Sequence, residues 1–322
     1  MTKSILAIGE ILIDLIVNDG ASSLETATNF VARSGGAPAN VAVAAARQGV
    51  PSGFCGVCGD DPFGRRLRAL LQEYGVDDAT LRSDAVEKTS LALVWKDARG
   101  DGHFQLVRIA DRYLNDADVE AADIPSRAAI VVGSVVLSEQ PSRRAIHRAT
   151  EIAFAAGVPV CLDLNIRPSL WPKLDALTEA LAPLWSRTSL LKLSLDDARA
   201  LHGDAISPEA IFAWAHELDI PHVVLTDGSR GCWFRGSDGG PEYLAAFSIV
   251  AVEPTGAGDA FTAGILGGLI ANGWSGITKS IAEFASAAGA ITATRSGAIE
   301  SLPTRDEIEQ FLAERRVPTV SA

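Results

Sequence analysis

Several features that would place a protein outside the cell or in a membrane are scarce in this chain of 322 residues. Four cysteines are too few for a secreted disulfide framework at this length. No apolar run approaches the roughly 20 residues that a membrane helix needs. The apolar start is interrupted by Glu10 and Asp14, which argues against a signal peptide. We therefore expect a cytoplasmic protein without a membrane partner.

Clustered positive charge and complete metal-ligand sets are absent as well. The chain carries 28 Lys and Arg against 40 Asp and Glu, and no basic block offsets the formal charge of −12. We therefore expect no nucleic-acid partner. Cys55 and Cys58 form a CxxC pair without a second pair to complete a zinc set. Two buried thiols at a strand end are favoured over a redox pair.

The order of local patterns predicts an α/β fold. Short β-branched runs alternate with longer helical patterns such as residues 62–74, which is typical of a mostly parallel central sheet wrapped by helices. Thr304 and Glu307 form a capping box before a C-terminal helix. The predicted strands are residues 4–8, 129–132, 158–162, 190–193 and 222–225.

Two pairs of runs have no helix between their strands. Residues 11–17 pair with 29–33, and residues 91–96 pair with 102–107. A turn-rich link from Asp97 to Asp101 joins the second pair, as in a hairpin. We expect one catalytic domain over residues 1–322, in which these strands form a small sheet that covers a cleft as a lid.

The most informative stretch is Glu253-Pro254-Thr255-Gly256-Ala257-Gly258-Asp259. Backbone N–H groups of Gly256, Ala257 and Gly258 would open an apolar helix and form a pocket for an anion. Asp259 in the first helical turn would set a proton acceptor beside that pocket. Phosphoryl transfer from ATP to a hydroxyl needs both features. A plain helix cap with an acidic first turn is the alternative.

A second glycine-containing loop precedes the helix predicted for residues 40–48. Gly35 and Gly36 permit close approach of the backbone to a ligand, and Asn40 can pair with a hydroxyl as donor or acceptor. An ordinary loop with an N-cap explains the same residues equally well.

Polar residues also follow two of the predicted strands. Asp163, Asn165 and Arg167 follow one strand, where open α/β sheets bind ligands, and they favour a polar substrate with Arg167 facing phosphate. A salt bridge between Asp163 and Arg167 is the alternative. The turn from Thr226 to Gly231 follows another strand, and a β-turn alone explains it.

Taken together, these loops resemble the ribokinase-like family of carbohydrate kinases, also called the phosphofructokinase-B family. The resemblance runs from Ile8 to Pro303 and rests on several motifs in the family's order. These are GEILIDLI, GGAPANVAVAAARQG, GDDPFGRRL, DLNIRPSLW, VLTDGSRG, PTGAGDAF and TRSGAIESLP. The resemblance implies a ribokinase-like fold, ATP as phosphate donor and Mg²⁺ as its companion.

The resemblance also implies roles for individual residues. Asp259 matches the catalytic base, residues 256–258 match the anion hole, and Arg167 lies near the substrate and the transferred phosphate. The implied sugar-binding residues are Asp14, Gly35, Gly36, Asn40, Asp163 and Asn165. The implied nucleotide-side residues are Ser194, Thr226, Gly228, Gly231 and Ser286.

Metal binding is the part in which the sequence departs from the family pattern. In the element near the divalent metal, Asp197 stands where the family usually has Glu. In the stretch before the anion hole, Glu253, followed by Pro254, stands where the family usually has Asp. Many members bind a monovalent cation such as K⁺ near the anion hole. The positions implied for it here are Glu253, Thr255, Thr292, Arg295, Gly297 and Ser301.

Segments outside these loops look most like bacterial fructokinases, which implies phosphorylation of fructose to fructose 6-phosphate. These segments are GDDPFGRRL, ADRYL and KLSLDDARAL. A 2-keto-3-deoxygluconate kinase is the alternative, in which Arg108 would pair with the sugar-acid carboxylate. A ribokinase or nucleoside kinase and an inactive sugar-binding regulator also stay open. An exposed edge of the lid sheet would permit a homodimer.

Overall fold

The computed structural model describes residues 3–99, 102–235 and 239–316, which contain thirteen strands and ten α-helices. The strands are Ile5–Ile8 (β1), Leu12–Val17 (β2), Phe30–Gly35 (β3), Ser52–Gly59 (β4), Asp77–Asp84 (β5), Leu91–Lys96 (β6), Gly102–Val107 (β7), Ala129–Gly133 (β8), Val160–Asp163 (β9), Leu190–Ser194 (β10), His222–Thr226 (β11), Gly231–Arg235 (β12) and Pro241–Ala245 (β13). The helices are Ala37–Arg47 (α1), Pro62–Glu73 (α2), Asp116–Glu120 (α3), Ser142–Ala155 (α4), Leu174–Trp185 (α5), Leu195–His202 (α6), Pro208–Glu217 (α7), Ala257–Ala271 (α8), Lys279–Ala293 (α9) and Arg305–Arg316 (α10).

Nine strands form one large, mostly parallel sheet. Their order is β13-β12-β11-β10-β9-β8-β1-β4-β5, with β1 between β8 and β4. Only the pairings of β12 with β11 and with β13 are antiparallel. All eight residues of β4 are buried, as expected for a parallel sheet with helices on both faces. The predicted α/β architecture is confirmed.

The other four strands form a separate small sheet in the order β3-β2-β6-β7. Antiparallel pairing joins β2 to β3 and β6 to β7, while β2 and β6 pair in parallel. The predicted lid strands are thereby confirmed, with ends shifted by one or two residues. Gly100 and Asp101 of the predicted link between β6 and β7 lie outside the described residues.

Two predicted elements begin two or more residues away from their observed start. The helix predicted from Asn40 begins at Ala37, because Pro38 is accommodated in the first turn, where its missing N–H costs nothing. The strand predicted from Val158 begins at Val160, where the ladder with β8 starts, and includes Asp163 as its last residue. The capping box before α10 is confirmed, since the Thr304 amide donates to Glu307 at 2.7 Å.

The core lies on both faces of the large sheet. Alternate residues of β1 face opposite sides, so Ile5 belongs to one buried cluster and Leu6 to the other. Cys55 and Cys58 are buried free thiols, which confirms the structural interpretation of the CxxC pair. Within the described ranges, no helix combines the length and the apolar character that crossing a membrane requires.

Candidate active site

A cavity of about 1050 Å³ lies between the small sheet and the ends of the large-sheet strands. It is lined by β2, β6 and β7 on one side, and by segments that follow β1, β8 and β9 on the other. This is where open α/β sheets bind their ligands. The predicted site residues that line it are Asp14, Gly36, Asn40, Asn165, Arg167, Glu253, Thr255, Gly256, Gly258 and Asp259.

At the start of α8, a carboxyl and an open helix terminus meet the cavity. Gly256 adopts a left-handed backbone (φ 82°) as the N-cap, and Ala257 begins the helix. Asn40 Nδ2, 219 positions earlier in the chain, donates to Asp259 Oδ2 at 2.7 Å. Asn40 Oδ1 is buried and has no hydrogen-bond partner among the described residues. This oxygen is therefore available to a hydroxyl in the cavity.

The environment of Asp259 raises its pKa to about 6. Burial is the largest cause, and the hydrogen bond from Asn40 opposes it by stabilising the charged form. Asp163 raises the pKa further, while Lys192 and Arg167 lower it. The group is ionised above about pH 6 and is then a stronger proton acceptor than an ordinary aspartate.

Two glycines allow the loop before α1 to approach the cavity closely. A Cβ on Gly36, whose φ is 108°, would lie 2.5 Å from the backbone oxygen of Glu10. A Cβ on Gly35 would lie 2.2 Å from Asp14 Oδ2. Burial, followed by the neighbouring carboxylate of Glu253, raises the pKa of Asp14 to about 7. Any larger side chain at either glycine would displace this wall.

Lys192 is a site residue that the loop motifs did not indicate. It lies on β10 in register with Asp163 on β9, and its Nζ donates to Asp163 Oδ1 at 3.0 Å. Thr262 Oγ1 donates to the other oxygen at 2.8 Å. Lys192 Nζ also lies 3.4 Å from the position a Cβ would take on Gly258, beside the helix terminus. A lysine inside the apolar run LLKLS is the signal that could have found it.

The charge state of Lys192 is protected by its neighbours. Burial by itself would lower the pKa of Lys192, but the carboxylates of Asp163, Asp197 and Asp259 outweigh burial and raise it. A fixed positive charge therefore lies next to the amides that open α8. Such a charge and these amides can together stabilise an anion.

Arg167 faces the cavity and reaches the small sheet. Its guanidinium carbon lies 5.5 Å from the ring centroid of Phe104 on β7. It does not form the predicted alternative ion pair with Asp163, whose carboxylate is taken by Lys192. The guanidinium is thus free of a carboxylate partner among the described residues and can contact an anion in the cavity.

Arg108 differs from the expectation that it could meet a sugar acid. Its Nε donates to Asp111 Oδ2 at 2.6 Å, and its Nη1 donates to Val135 O and to Ser138 Oγ. The side chain is buried and is not among the residues that line the cavity. An acidic partner three residues along the chain thus neutralises the guanidinium inside the protein, although its Nη2 has no partner among the described residues.

The predicted nucleotide-side residues form a second group that does not line the cavity. Ser194 and Thr226 are register partners at the carboxyl ends of β10 and β11. Ser286 on α9 lies 3.8 Å from the Cys232 sulfur on β12. The fold itself requires glycine at position 231, since a Cβ there would lie 2.1 Å from a carbonyl of β13. The remaining member, Gly228, has φ 50° and begins a 3₁₀ turn.

Asp197 is occupied by local hydrogen bonds. Its Oδ1 accepts from the Ile166 amide at 2.7 Å, and its Oδ2 accepts from both the amide and the hydroxyl of Ser194. It thereby caps α6 and ties that helix to the loop after β9. Across the described ranges, no three His, Cys, Asp or Glu residues cluster as a metal site.

Two of the positions implied for a monovalent cation, Glu253 and Gly297, are in contact near the start of α8. Glu253 Oε2 accepts from the Gly297 amide at 3.0 Å, and the Glu253 amide donates to Ala293 O at 3.1 Å. Gly256 packs against the carbonyl of Ala298. The other members, at the end of α9 and in the loop after it, are Thr292, Arg295 and Ser301.

Comparisons with known proteins agree with this geometry. A family model described as pfkB family carbohydrate kinase matches residues 2–305. Fructokinase-1 of Oryza sativa subsp. japonica is 36% identical, over 97% of this chain and 98% of its own.

Two solved structures share the fold. Fructokinase with bound ATP from Xylella fastidiosa is 27% identical with a TM-score of 0.86, covering 98% of this chain and 100% of its own. A fructokinase from Vibrio cholerae O395 with fructose, ADP and calcium ion bound is 29% identical with a TM-score of 0.82, covering 97% and 99%.

Proposed function

The chain belongs to the pfkB family of carbohydrate kinases, and from this premise we propose that it transfers the γ-phosphate of ATP to fructose. The product is fructose 6-phosphate. The relatives named as fructokinases support this choice of sugar. The observation that carries the proposal is the Asp259 carboxyl, held by Asn40 at the open start of α8 and facing a large cavity.

In the proposed mechanism, Asp14, Asn40 and Asn165 orient the sugar, and Gly35 and Gly36 allow it to lie against the backbone. Asp163 contributes indirectly by holding Lys192. Asp259 accepts the proton of the attacking hydroxyl, a role for which a raised pKa increases basicity. The amides of Gly256 and Gly258, with Arg167 and Lys192, stabilise the charge that develops on the transferred phosphoryl group. The Ala257 amide donates to Pro254 O at 3.1 Å in this structure and would have to leave that carbonyl to join them.

We propose that the nucleotide extends from the cavity towards the second group of polar residues. The residues assigned to it are Ser194, Thr226, Gly228, Gly231 and Ser286. Bound Mg²⁺ would neutralise phosphate charge. Because both oxygens of Asp197 are already hydrogen-bonded, we propose that Asp197 acts on the metal through water.

A K⁺ site beside the start of α8 is part of the proposal. Oxygen ligands suit a hard cation, and Glu253 and the loop after α9 supply them here. In this arrangement, backbone carbonyls of Thr255, Thr292, Arg295 and Gly297 would contribute, together with Ser301. Glu253 Oε2 accepts a hydrogen bond from the Gly297 amide, so a cation would have to bind beside this contact or replace it.

The alternatives receive less support from the structure. Arg108 is paired with Asp111, which removes the observation that favoured a 2-keto-3-deoxygluconate kinase. An inactive regulator would have no need for the intact carboxyl and helix terminus at α8. We further propose a cytoplasmic enzyme that forms a homodimer along an edge of the small sheet, where β3 and β7 are the outermost of the strands in the described part of the chain.

The test is sugar-dependent ADP release with fructose, ribose, 2-keto-3-deoxygluconate and a nucleoside as acceptors. We expect the highest kcat/KM with fructose, and ³¹P and ¹³C NMR should place the phosphate ester at C6. Preference for another acceptor would refute the choice of sugar. Absence of ADP release with every acceptor would refute the kinase assignment itself.

A further inference from the structure

Glu10 is a buried acid at the cavity that the proposed mechanism does not use. It is the second residue after β1, the strand between β8 and β4, and its exposed fraction is 3%. It lines the cavity together with Val135, Asn165 and Arg167. The side chain therefore lies at the carboxyl end of a central strand, on the side of the cavity assigned to the sugar.

The hydrogen-bonding capacity of this acid is not satisfied by the protein. Glu10 Oε2 is fully buried and has no partner among the described residues. Arg108 Nη2 is also buried without a partner, although the rest of that guanidinium is held by Asp111, Val135 and Ser138. Buried polar groups in native proteins are nearly always paired with protein, water or ligand. Glu10 Oε2 is therefore a hydrogen-bonding position that the described residues leave open to a ligand or a water.

The pKa of Glu10 lies near neutral pH, so both its charged and its protonated form are accessible. Burial raises the pKa of Glu10 to about 7, its own backbone amide opposes this, Asp111 raises it further, and Arg108 and Arg167 lower it. The carboxyl can thus accept a hydrogen bond when ionised or donate one when protonated. A neutral sugar hydroxyl can pair with either form.

The space around Glu10 limits what the partner can be. A recess of about 10 Å³ adjoins the cavity and shares Glu10, Ala37, Val135 and Asn165 with it. That volume holds at most one water. Anything larger must reach Glu10 from the main cavity, whose neighbouring residues Asn40 and Asn165 already carry sugar contacts in the proposed mechanism.

We infer that Glu10 is a further substrate-contacting residue that selects the sugar by hydrogen-bonding a hydroxyl other than the one phosphorylated. The Arg108–Asp111 pair holds the wall behind it. The inference rests on the proposed function, because it takes the cavity occupant to be a sugar. It assigns Glu10 to specificity, and it leaves proton transfer to Asp259.

The experiment is a cycle between enzyme and substrate variants. Glu10→Ala and Glu10→Gln are compared with the unaltered protein on fructose and on 1-deoxy-, 3-deoxy- and 4-deoxyfructose. We expect Glu10→Ala to raise the KM for fructose about 10-fold or more, the effect of losing a hydrogen bond to a charged group, with the KM for ATP unchanged. One deoxy analogue should lose about 10-fold in kcat/KM with the unaltered protein and little or nothing further with Glu10→Ala.

Asp118→Asn is the control, because the Asp118 carboxylate is largely buried against Arg82, away from the Glu10 network, and does not line the cavity. It should lower the melting temperature and affect all sugars alike. If Glu10→Ala does not fold, Glu10→Met, which keeps the length of the side chain without its hydrogen-bonding oxygens, serves in the same cycle. Equal losses for every analogue would mean that Glu10 only fills space beside a water, and would overturn the inference.

Failure of the proposed function has a different signature. If the unaltered protein prefers another sugar of the panel, deoxy forms of that sugar replace those of fructose in the cycle. If it turns over none, calorimetric binding of the sugars still measures the coupling to Glu10. Binding of every sugar without dependence on Glu10 would overturn the inference alone.

Discussion

Replacing Asp259 with Asn should raise the stability of the folded protein and lower its activity. The pKa of Asp259 rises from 3.8 to about 6 in the folded protein, mainly through burial. A raised acid pKa means that the ionised form is disfavoured in the native state. The penalty is therefore present above about pH 6, shrinks as pH falls, and vanishes below 3.8, where the group is protonated in both folded and unfolded chains.

The size of the effect follows from the shift. A shift of about 2 units corresponds to about 3 kcal/mol as an upper bound, and partial exposure of the side chain to solvent reduces it to ~1–2 kcal/mol. Asn keeps the shape and can still accept the hydrogen bond from Asn40. We expect Asp259→Asn to stabilise the protein by ~1–2 kcal/mol at pH 8 and to lower kcat by at least ~10²-fold.

The assay is urea unfolding at pH 8 and at a pH near 4, combined with initial rates of ADP release. Asp84→Asn is the control with the opposite sign, because backbone amides of Glu87 and Val86 lower the pKa of Asp84, which does not line the cavity. That variant should lose stability at pH 8 and keep its activity. Near-normal turnover of Asp259→Asn, or a loss of stability at pH 8, would refute the reasoning.

Three further predictions concern the same site. Asn40→Ala removes a hydrogen bond to the ionised carboxyl at the start of α8, so the acid limb of kcat/KM, measured from pH 5 to 9, should move up by about one unit. Lys192→Met leaves Asp163 buried without its cation and should lower the free energy of unfolding in urea by ~3 kcal/mol. Adding Asp163→Asn should restore part of this loss, and a double variant no more stable than Lys192→Met would contradict the pairing. Gly36→Ala should destabilise more than Gly75→Ala in thermal melts, since both have positive φ but only at Gly36 does a Cβ meet backbone within 3 Å.

The sequence predicted those parts of the molecule that depend on local pattern. Alternating strand and helix periodicity predicted the α/β architecture and five strands of the large sheet, and the absence of helices between residues 11 and 33 indicated the lid. Glycine and aspartate at the start of α8 predicted an open helix terminus with a carboxyl beside it. Each of these features is determined by residues within a few positions of one another.

Contacts between distant segments could not be predicted in the same way. The pairing of Lys192 with Asp163 depends on the register of two parallel strands joined through α5, and sequence spacing does not specify that register. A charged residue in an apolar run shows that some partner must exist, without showing which. Arg108 pairs with Asp111, and its sequence position does not show that this nearby acid, and not a ligand, is its partner.

The balance of charge around the cavity explains why these distant contacts matter. Its lining includes five acids against three bases, so the phosphates of a nucleoside triphosphate meet net negative charge when all of these acids are ionised. The lining acids are Glu10, Asp14, Asp97, Glu253 and Asp259, and the bases are Lys96, Arg167 and Lys192.

The positive potential that attracts phosphate must therefore be concentrated at one place, the start of α8. Lys192 is held charged by its buried acidic neighbours next to Gly258, where the amides that open α8 add their partial charges. Burial meanwhile raises the pKa values of Asp14 and Asp259, which weakens their repulsion of phosphate at moderate pH. The same carboxyl that disfavours the folded state above pH 6 is thus tolerable beside a phosphoryl group, because a fixed cation and a helix terminus lie on its other side.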